Sequence, residues 1–237
     1  MIIYSIIPAR SGSKGIKNKN LKQIGGKSLL QIAIDSSLNS KYINKTFVST
    51  DSSEYSNLAK KFGAIVPYLR PKEISKDDSP TIDLIKDLIN YFKSKRNLEV
   101  PNLICLLQPT SPFRKTKDID NAISKFDWEK SSSLVSITDV PHNMVPECIY
   151  SSIENNNLIK YKEHEPTSLN RSEKNKYFCR NGAAIYITKT AELISQDKIL
   201  ASPIQPYYMN KISSLDIDDN DDLLICRAIN FYKEHLN

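Results

Sequence analysis

Leu215-Asp216-Ile217-Asp218 carries two carboxylates two positions apart, each beside an aliphatic residue. On a strand that spacing turns both carboxylates to one side and sends Leu215 and Ile217 into a core. Such a pair is a hard oxygen site suited to magnesium, which binds through one or two carboxylates and completes its shell with phosphate oxygens. The competing reading is that the run to Asp222 is an acidic helix start favoured by the helix dipole. Both can hold, because Asp219, Asp221 and Asp222 suffice for the cap. At the other end of the chain, Arg10, Lys14, Lys17 and Lys19 are interspersed with Ser11, Gly12, Ser13 and Gly15. Small residues let backbone N–H groups approach phosphate oxygens, and flexible cations neutralise charge on a departing pyrophosphate. The spacing is not that of a Walker loop, and a basic glycine-serine loop is also a common solvated turn. Arg171, with Arg180-Asn181-Gly182, forms a third cluster able to grip a carboxylate bidentately.

Between these clusters the apolar run from Leu103 to Leu107 breaks abruptly into Gln108-Pro109-Thr110-Ser111-Pro112-Phe113-Arg114. That is how a buried parallel strand delivers polar groups to a site at its carboxyl end. The two ends and the strand together suggest a site with a polyphosphate on one side and a polyhydroxylated molecule on the other, hence nucleotidyl transfer.

These residues must be carried to one place, and the pattern of the chain predicts an α/β fold with a doubly wound, mostly parallel sheet. Strands are expected near 2–7, 46–50, 64–67, 103–107 and 133–138, alternating with helix-period segments. Ser79-Pro80 reads as an N-cap followed by a first-turn proline, with Ile82, Leu84, Ile85, Leu88, Ile89 and Phe92 forming the buried face. From about Pro141 to Lys176 the sequence is polar and lacks sustained periodicity, as expected of an insertion or partner arm. Pattern resumes with Ala183 to Ile187, a short helix near 189–195, a strand near 204–209 and a final helix bearing Leu223, Leu224, Ala228, Ile229 and Phe231.

The 237 residues, 40% hydrophobic and 25% charged, suit one large domain over 1–237. Basic residues outnumber acidic ones by a formal +6, but they are spread along the chain. A small anionic ligand is therefore expected rather than nucleic acid. Cys105, Cys148, Cys179 and Cys226 stand alone, so neither zinc nor a disulfide framework is expected, and a cytoplasmic setting fits. The opening apolar run to Ile7 is too short to span a membrane. His142, His164 and His235 have no Ser or Cys partner in a hydrolytic arrangement.

The sequence resembles the acylneuraminate cytidylyltransferases, the CMP-sialic acid synthetases and their relatives acting on other nonulosonic acids. The likeness runs nearly end to end, through Ile7 to Gly15 with Lys19-Asn20-Leu21, Val48 to Asp51, Leu69-Arg70-Pro71, Leu106 to Arg114, Asn181-Gly182-Ala183 with Ile185-Tyr186, and Leu215 to Asp218. Six ordered matches are far more specific than any one. The resemblance implies a Rossmann-like, CTP-dependent enzyme that uses magnesium (Mg2+). It also implies a homodimer in which an arm, here about 141–176, closes the neighbour's site. It places Arg10, Ser13, Lys14, Lys19 and Asn20 at the triphosphate, Arg70 and Thr81 near the cytosine, and Gln108, Thr110 and Tyr186 at the sugar. Asp216 and Asp218 match the metal pair, and Arg171 a carboxylate-binding arginine contributed across the dimer. Members usually read Arg-x-Asn-Gly-Ala-Ile-Tyr, whereas here Arg180 and Asn181 are adjacent and an extra alanine follows, so either could touch the sugar. The implied reaction is attack of the sugar's anomeric 2-hydroxyl on the α-phosphate of CTP, catalysed by positioning and charge stabilisation. A carboxylate or a metal-bound water takes the proton, and by position Asp216 is the better candidate. The rivals are a 3-deoxy-manno-octulosonate (Kdo) cytidylyltransferase, whose opening loop usually lacks Ser-Lys-Gly, and a catalytically silent nucleotide-binding scaffold. Lys19, Asp216 and Asp218 argue against the scaffold.

Overall fold

A computed structural model describes residues 1–12, 15–154, 156–161 and 176–235. The elements in chain order are β1 (Ile3–Pro8), β2 (Gln23–Ile24), β3 (Lys27–Ser28), α1 (Leu29–Leu38), β4 (Lys45–Ser49), α2 (Ser53–Lys61) and α3 (Thr81–Ser94). There follow β5 (Leu103–Leu106), α4 (Thr116–Ser124), β6 (Ser133–Asp139), β7 (Tyr150–Glu154), β8 (Asn157–Lys160) and β9 (Phe178–Arg180). The chain finishes with β10 (Tyr186–Lys189), α5 (Thr190–Gln196), β11 (Ile204–Tyr208) and α6 (Asn220–His235).

Seven strands form the central sheet in the order β11-β6-β10-β5-β1-β4, with β9 pairing β6 off that path. β4, β1 and β5 run parallel, as do β6 and β11, while β10 lies antiparallel between β5 and β6. The sheet is mostly parallel, as expected, with two reversed strands, β9 and β10. The reversal of β10 brings the turn before it to the carboxyl end of β5.

Alternation along β1 divides the core. Ile3 and Ile7 pack with Leu30, Ala33 and Ile34 of α1 and Ile119, Ala122 and Ile123 of α4. Tyr4 and Ile6 pack on the opposite face with Leu84, Ile85, Leu88, Ile89 and Phe92 of α3. Each of those five α3 side chains contributes roughly 2 kcal/mol of burial before the entropy of ordering is subtracted. Ser28 and Ser52 cap α1 and α2, accepting from Gln31 N at 3.1 Å and Tyr55 N at 3.3 Å. Such caps satisfy N–H groups that a helix start leaves open. Ser79 does not cap α3, whose cap position is Pro80. The Ser79 hydroxyl instead accepts from Lys76 N and donates to Glu73 O, closing the loop before the helix.

Three other expectations differ from the structure. Around 64–67 there is one bridge, Ile65 beside Phe47, rather than a strand. The segment 215–218 is extended but unpaired in any sheet, tied to Thr110 O by Ile217 N at 2.9 Å. Within the polar stretch, β7 and β8 form an antiparallel hairpin, with Asn156 at φ 65° in the turn. An Asn-rich turn between short apolar strands is the signal for it.

Candidate active site

Beyond β1 the chain is pinned at once. Ala9 N donates to Ser49 O at 2.9 Å, and Asp51 clamps the next turn by accepting from Ser11 N at 2.9 Å and Ser11 Oγ at 3.1 Å. Buried Asn20 braces the far side, its amide donating to Arg10 O at 3.0 Å. The loop then docks on the aspartate segment. A Cβ on Gly15 would stand 2.6 Å from Asp218 O, so only glycine permits this approach. Ile16 enters a small core with Ile217, Leu223 and Cys226. Lys19 Nζ donates to Ile217 O at 2.8 Å and lies 3.6 Å from Asp218 Oδ1. The opening loop and the aspartates, far apart in sequence, are therefore one structural unit.

Around this unit lies a cleft of about 440 Å³ whose walls include Arg10, Lys19, Asn20, Arg70, Thr81, Gln108, Thr110 and Asp218. Arg70 is 6% exposed, and its Nε and Nη2 have no hydrogen-bond partner. Burial pulls its pKa down, and the nearby Asp51 works against that. A buried guanidinium with unused donors on a cleft wall is suited to acceptor atoms of a ligand. Arg10 is ion-paired with Asp77. Lys76, Asp77 and Ser79 also line the cleft, from the loop before α3.

A second cavity of about 530 Å³ adjoins the first, sharing Thr81 and Gln108. Leu106, Cys179, Arg180, Gly182, Ala183, Tyr186 and Ile199 complete it. Burial raises the Tyr186 phenol, and the Arg180 guanidinium beside it opposes the rise. Arg180 is thus the member of its pair that reaches a cavity. Asn181 is 4% exposed and its amide is engaged on both sides, accepting from Ser136 Oγ at 2.6 Å and donating to Ser214 Oγ at 2.9 Å. Of the two residues expected at the sugar, Asn181 is thus the one whose amide is already engaged within the protein. It braces the Gly182 turn.

Asp216 sits between the two cavities. Thr110, on the first, hydrogen-bonds it, and Gly182, on the second, packs so closely that a Cβ would fall 2.2 Å from its Oδ2. Gly182 has φ +66°, a conformation that itself favours glycine. Burial raises the Asp216 carboxyl; Asp218 and Asp222 add to the rise, while Thr110 and Lys19 oppose it. Its Oδ1 is buried without a partner, whereas the Asp218 side chain is 81% exposed. The two carboxylates are therefore not equivalent, as an ideal strand would have made them. No group of three or more His, Cys, Asp or Glu able to hold a metal occurs among the described residues. Two carboxylates, one with an unsatisfied oxygen, fit magnesium that takes its other ligands from phosphate and water. The helix-start reading holds as well. Asp219 Oδ1 accepts from Asp221 N and Asp222 N, and Asp222 Oδ2 accepts from Asp218 N and Asp219 N.

Ser13, Lys14 and Arg171 lie outside the described residues. Among the described residues no helix is long and apolar enough to cross a membrane.

The cytidylyltransferase family model matches residues 4–222, nearly the whole chain. The chain belongs to the cytidylyltransferase family. Among its relatives is the CMP-N,N'-diacetyllegionaminic acid synthase of Legionella pneumophila, 34% identical over 219 residues that cover 92% of this chain and 91% of that protein. The N-acylneuraminate cytidylyltransferase of Escherichia coli is 33% identical over 96% of this chain but 52% of its own length, so the chain spans about half of that relative. The pseudaminic acid cytidylyltransferase of Campylobacter jejuni is 27% identical, covering 94% of both. Among solved structures, a CMP:2-keto-3-deoxy-manno-octonic acid synthetase complexed with CTP superposes with TM-score 0.71, covering 98% of this chain and 100% of that one. At 16% identity that likeness speaks for the fold.

The residues of this cytidylyltransferase that sequence reasoning passed over are those that place others. Asp51 and Arg114 stood inside quoted motifs without a role, and Lys76 and Asp77 stood in a polar loop like any other. Nothing in their spacing marks them, because their partners are far away in the chain.

Proposed function

We propose that this cytidylyltransferase transfers CMP from CTP to the anomeric 2-hydroxyl of a nonulosonic, sialic-type acid and releases pyrophosphate. The observation that carries the reading is the pair of adjoining cavities, one ringed by Arg10, Lys19 and Arg70, the other by Arg180 and Tyr186, with Asp216 between them. Two substrates that must exchange a group need such a seam. The names of relatives from Legionella, Escherichia and Campylobacter all point to nine-carbon acids of this kind.

In this reading Arg10, Lys19 and Asn20, with Ser13 and Lys14, hold the triphosphate. Arg70 and Thr81 meet the cytosine; Gln108, Thr110, Arg180 and Tyr186 meet the sugar acid. A bond forms between the 2-oxygen and the α-phosphorus as the bond to the bridging oxygen of pyrophosphate breaks. Lys19 neutralises charge on the leaving pyrophosphate. Asp216, its carboxyl pKa raised by burial and in contact with Thr110 on the first cavity and Gly182 on the second, is placed to take the hydroxyl proton. Asp216 and Asp218 would hold magnesium, which supplies charge neutralisation across the phosphates when bound.

The same reading includes a homodimer built by the arm over 141–176. The β7–β8 hairpin supports it, since Ile153 and Leu158, opposite each other in its ladder, are 72% and 56% exposed. A two-stranded hairpin is marginal alone, and an exposed apolar pair on it suits burial by a partner. Arg171 would then serve the neighbour's sugar carboxylate. The four unpaired cysteines suit a cytoplasmic enzyme.

Incubation of the protein with CTP, magnesium and a panel of nonulosonic acids plus Kdo, with mass detection of the CMP-sugar, tests the reaction and its substrate together. A CMP-nonulosonic acid with stoichiometric pyrophosphate is expected. CMP-Kdo alone would transfer the chain to the eight-carbon rival, and no pyrophosphate from any acid would leave the silent scaffold.

A further inference from the structure

Arg114 ends the motif that follows β5, yet it lines neither cavity. It is 2% exposed. Its Nη1 donates to two backbone carbonyls, Gln108 O and Ala184 O, both at 2.9 Å. Its Nε and Nη2 are buried with no hydrogen-bond partner. Burial draws its pKa down to about 10, with Cys105, Asp118 and Asp216 opposing, so it stays protonated at neutral pH and both bonds are charge-assisted. A buried cation with unused donors costs stability, and an apolar side chain of similar length would fill the same space without that cost. Packing is therefore a poor reason for arginine here.

The two carbonyls supply a better one. Gln108 faces both cavities, while Ala184 closes the turn whose Gly182 and Ala183 line the second. Beyond the β5–β10 ladder, which ends at Leu106 and Tyr186, Gln108 N also donates to Ala183 O over a long 3.3 Å. The same turn carries the Gly182 contact with Asp216. One nitrogen thus ties the strand end, where Gln108 lines both cavities, to the turn that lines the second.

We propose that Arg114 is a positioning residue: by drawing the carbonyls of Gln108 and Ala184 to one nitrogen, it sets the separation of the walls between which the sugar acid meets the nucleotide. The inference rests on reading the second cavity as the sugar-acid site. Arg114→Met removes both bonds at similar length, and Arg114→Lys keeps the charge without the planar fork. Measured per folded enzyme, Arg114→Met is expected to lose about 30-fold or more in kcat/KM for the sugar acid, with KM for CTP within about twofold, because a misplaced wall costs reaction geometry. Arg114→Lys should fall between. In Arg114→Ala, low-millimolar guanidinium should restore part of the rate, and sodium chloride should not. A purely structural arginine would lower Tm and leave both KM values and kcat of the folded enzyme unchanged, which overturns the proposal, as does an equal rise in both KM values. Amide exchange reads the staple without turnover. In ligand-free Arg114→Met, Gln108 and Ile185 should exchange faster while β1 and α3 keep wild-type protection; unchanged exchange at those two overturns the staple. If the wild type makes no CMP-sugar, the reading of the reaction fails, and exchange still judges Arg114.

Discussion

Asp218 presents its carboxylate to the first cleft with the Lys19 ammonium 3.6 Å away, whereas Asp216 lies behind it, touching Gly182 and Thr110. Their proposed work differs accordingly. If Asp218 holds magnesium on the triphosphate, Asp218→Asn should lower kcat by about 100-fold or more while Tm stays within about 2 °C, because an exposed side chain does no packing. Near-normal turnover in saturating magnesium would remove Asp218 from the metal. Asp216 predicts a trade of stability against activity. Its carboxyl is raised by burial, so the folded state holds the proton more tightly than the unfolded chain. The stability linked to that proton is present in acid and lost as pH rises through the raised pKa. In metal-free buffer at pH 7, Asp216→Asn should therefore melt about 2 °C higher than wild type, a gain that should vanish near pH 3, while in saturating magnesium it should turn over little. A lower Tm at pH 7 would show that the carboxylate is stabilising.

At the scale of elements, the turn from β9 into β10 decides the geometry more than any strand does. Gly182 is held at φ +66° with the Asp216 carboxylate where a Cβ would go. Gly182→Ala combines backbone strain of about 1 kcal/mol with displacement of Asp216. Turnover should drop by at least about tenfold while the far-UV spectrum is unchanged; wild-type kcat in a folded variant would show that the contact does not matter. This turn was half legible in the sequence. Asn181-Gly182-Ala183 announced a motif and Gly182 a special conformation, but neighbouring Arg180 and Asn181 read alike. Burial separates them, since Asn181 meets Ser136 and Ser214 while Arg180 reaches the second cavity. No local pattern carries that difference, because Ser136 and Ser214 arrive from β6 and from the segment before α6.

For the whole molecule, the exposed Ile153–Leu158 pair of the β7–β8 hairpin asks for a cover, and the proposal supplies a second copy of the chain. Subunit mixing tests it. Arg171→Ala and Asp218→Asn subunits, each inactive alone, should recover part of the wild-type rate, about a quarter if exchange is random and one site per heterodimer is complete. No recovery, with exchange confirmed by mass, would show that each site is built within one chain.

The sequence by itself determined what is periodic or local. The strand cores of β1, β4, β5 and β6, the buried stripe of α3 and the polar break after Leu107 all follow from alternation, helical spacing and turn chemistry. The cations of the opening loop and the two aspartates were equally plain as residue types suited to phosphate and metal. Tertiary structure decided what depends on contacts distant in the chain. It made Asp216 and Asp218 unequal, because Gly182 and Thr110 bury one and leave the other in solvent. It reversed β10 within a parallel sheet, which carries that glycine turn to the end of β5. And it gave Arg114 two carbonyls, Gln108 and Ala184, that come together only when β5 and β10 pair. Burial and close approach are properties of the assembled chain, and the spacing of residues along it does not contain them.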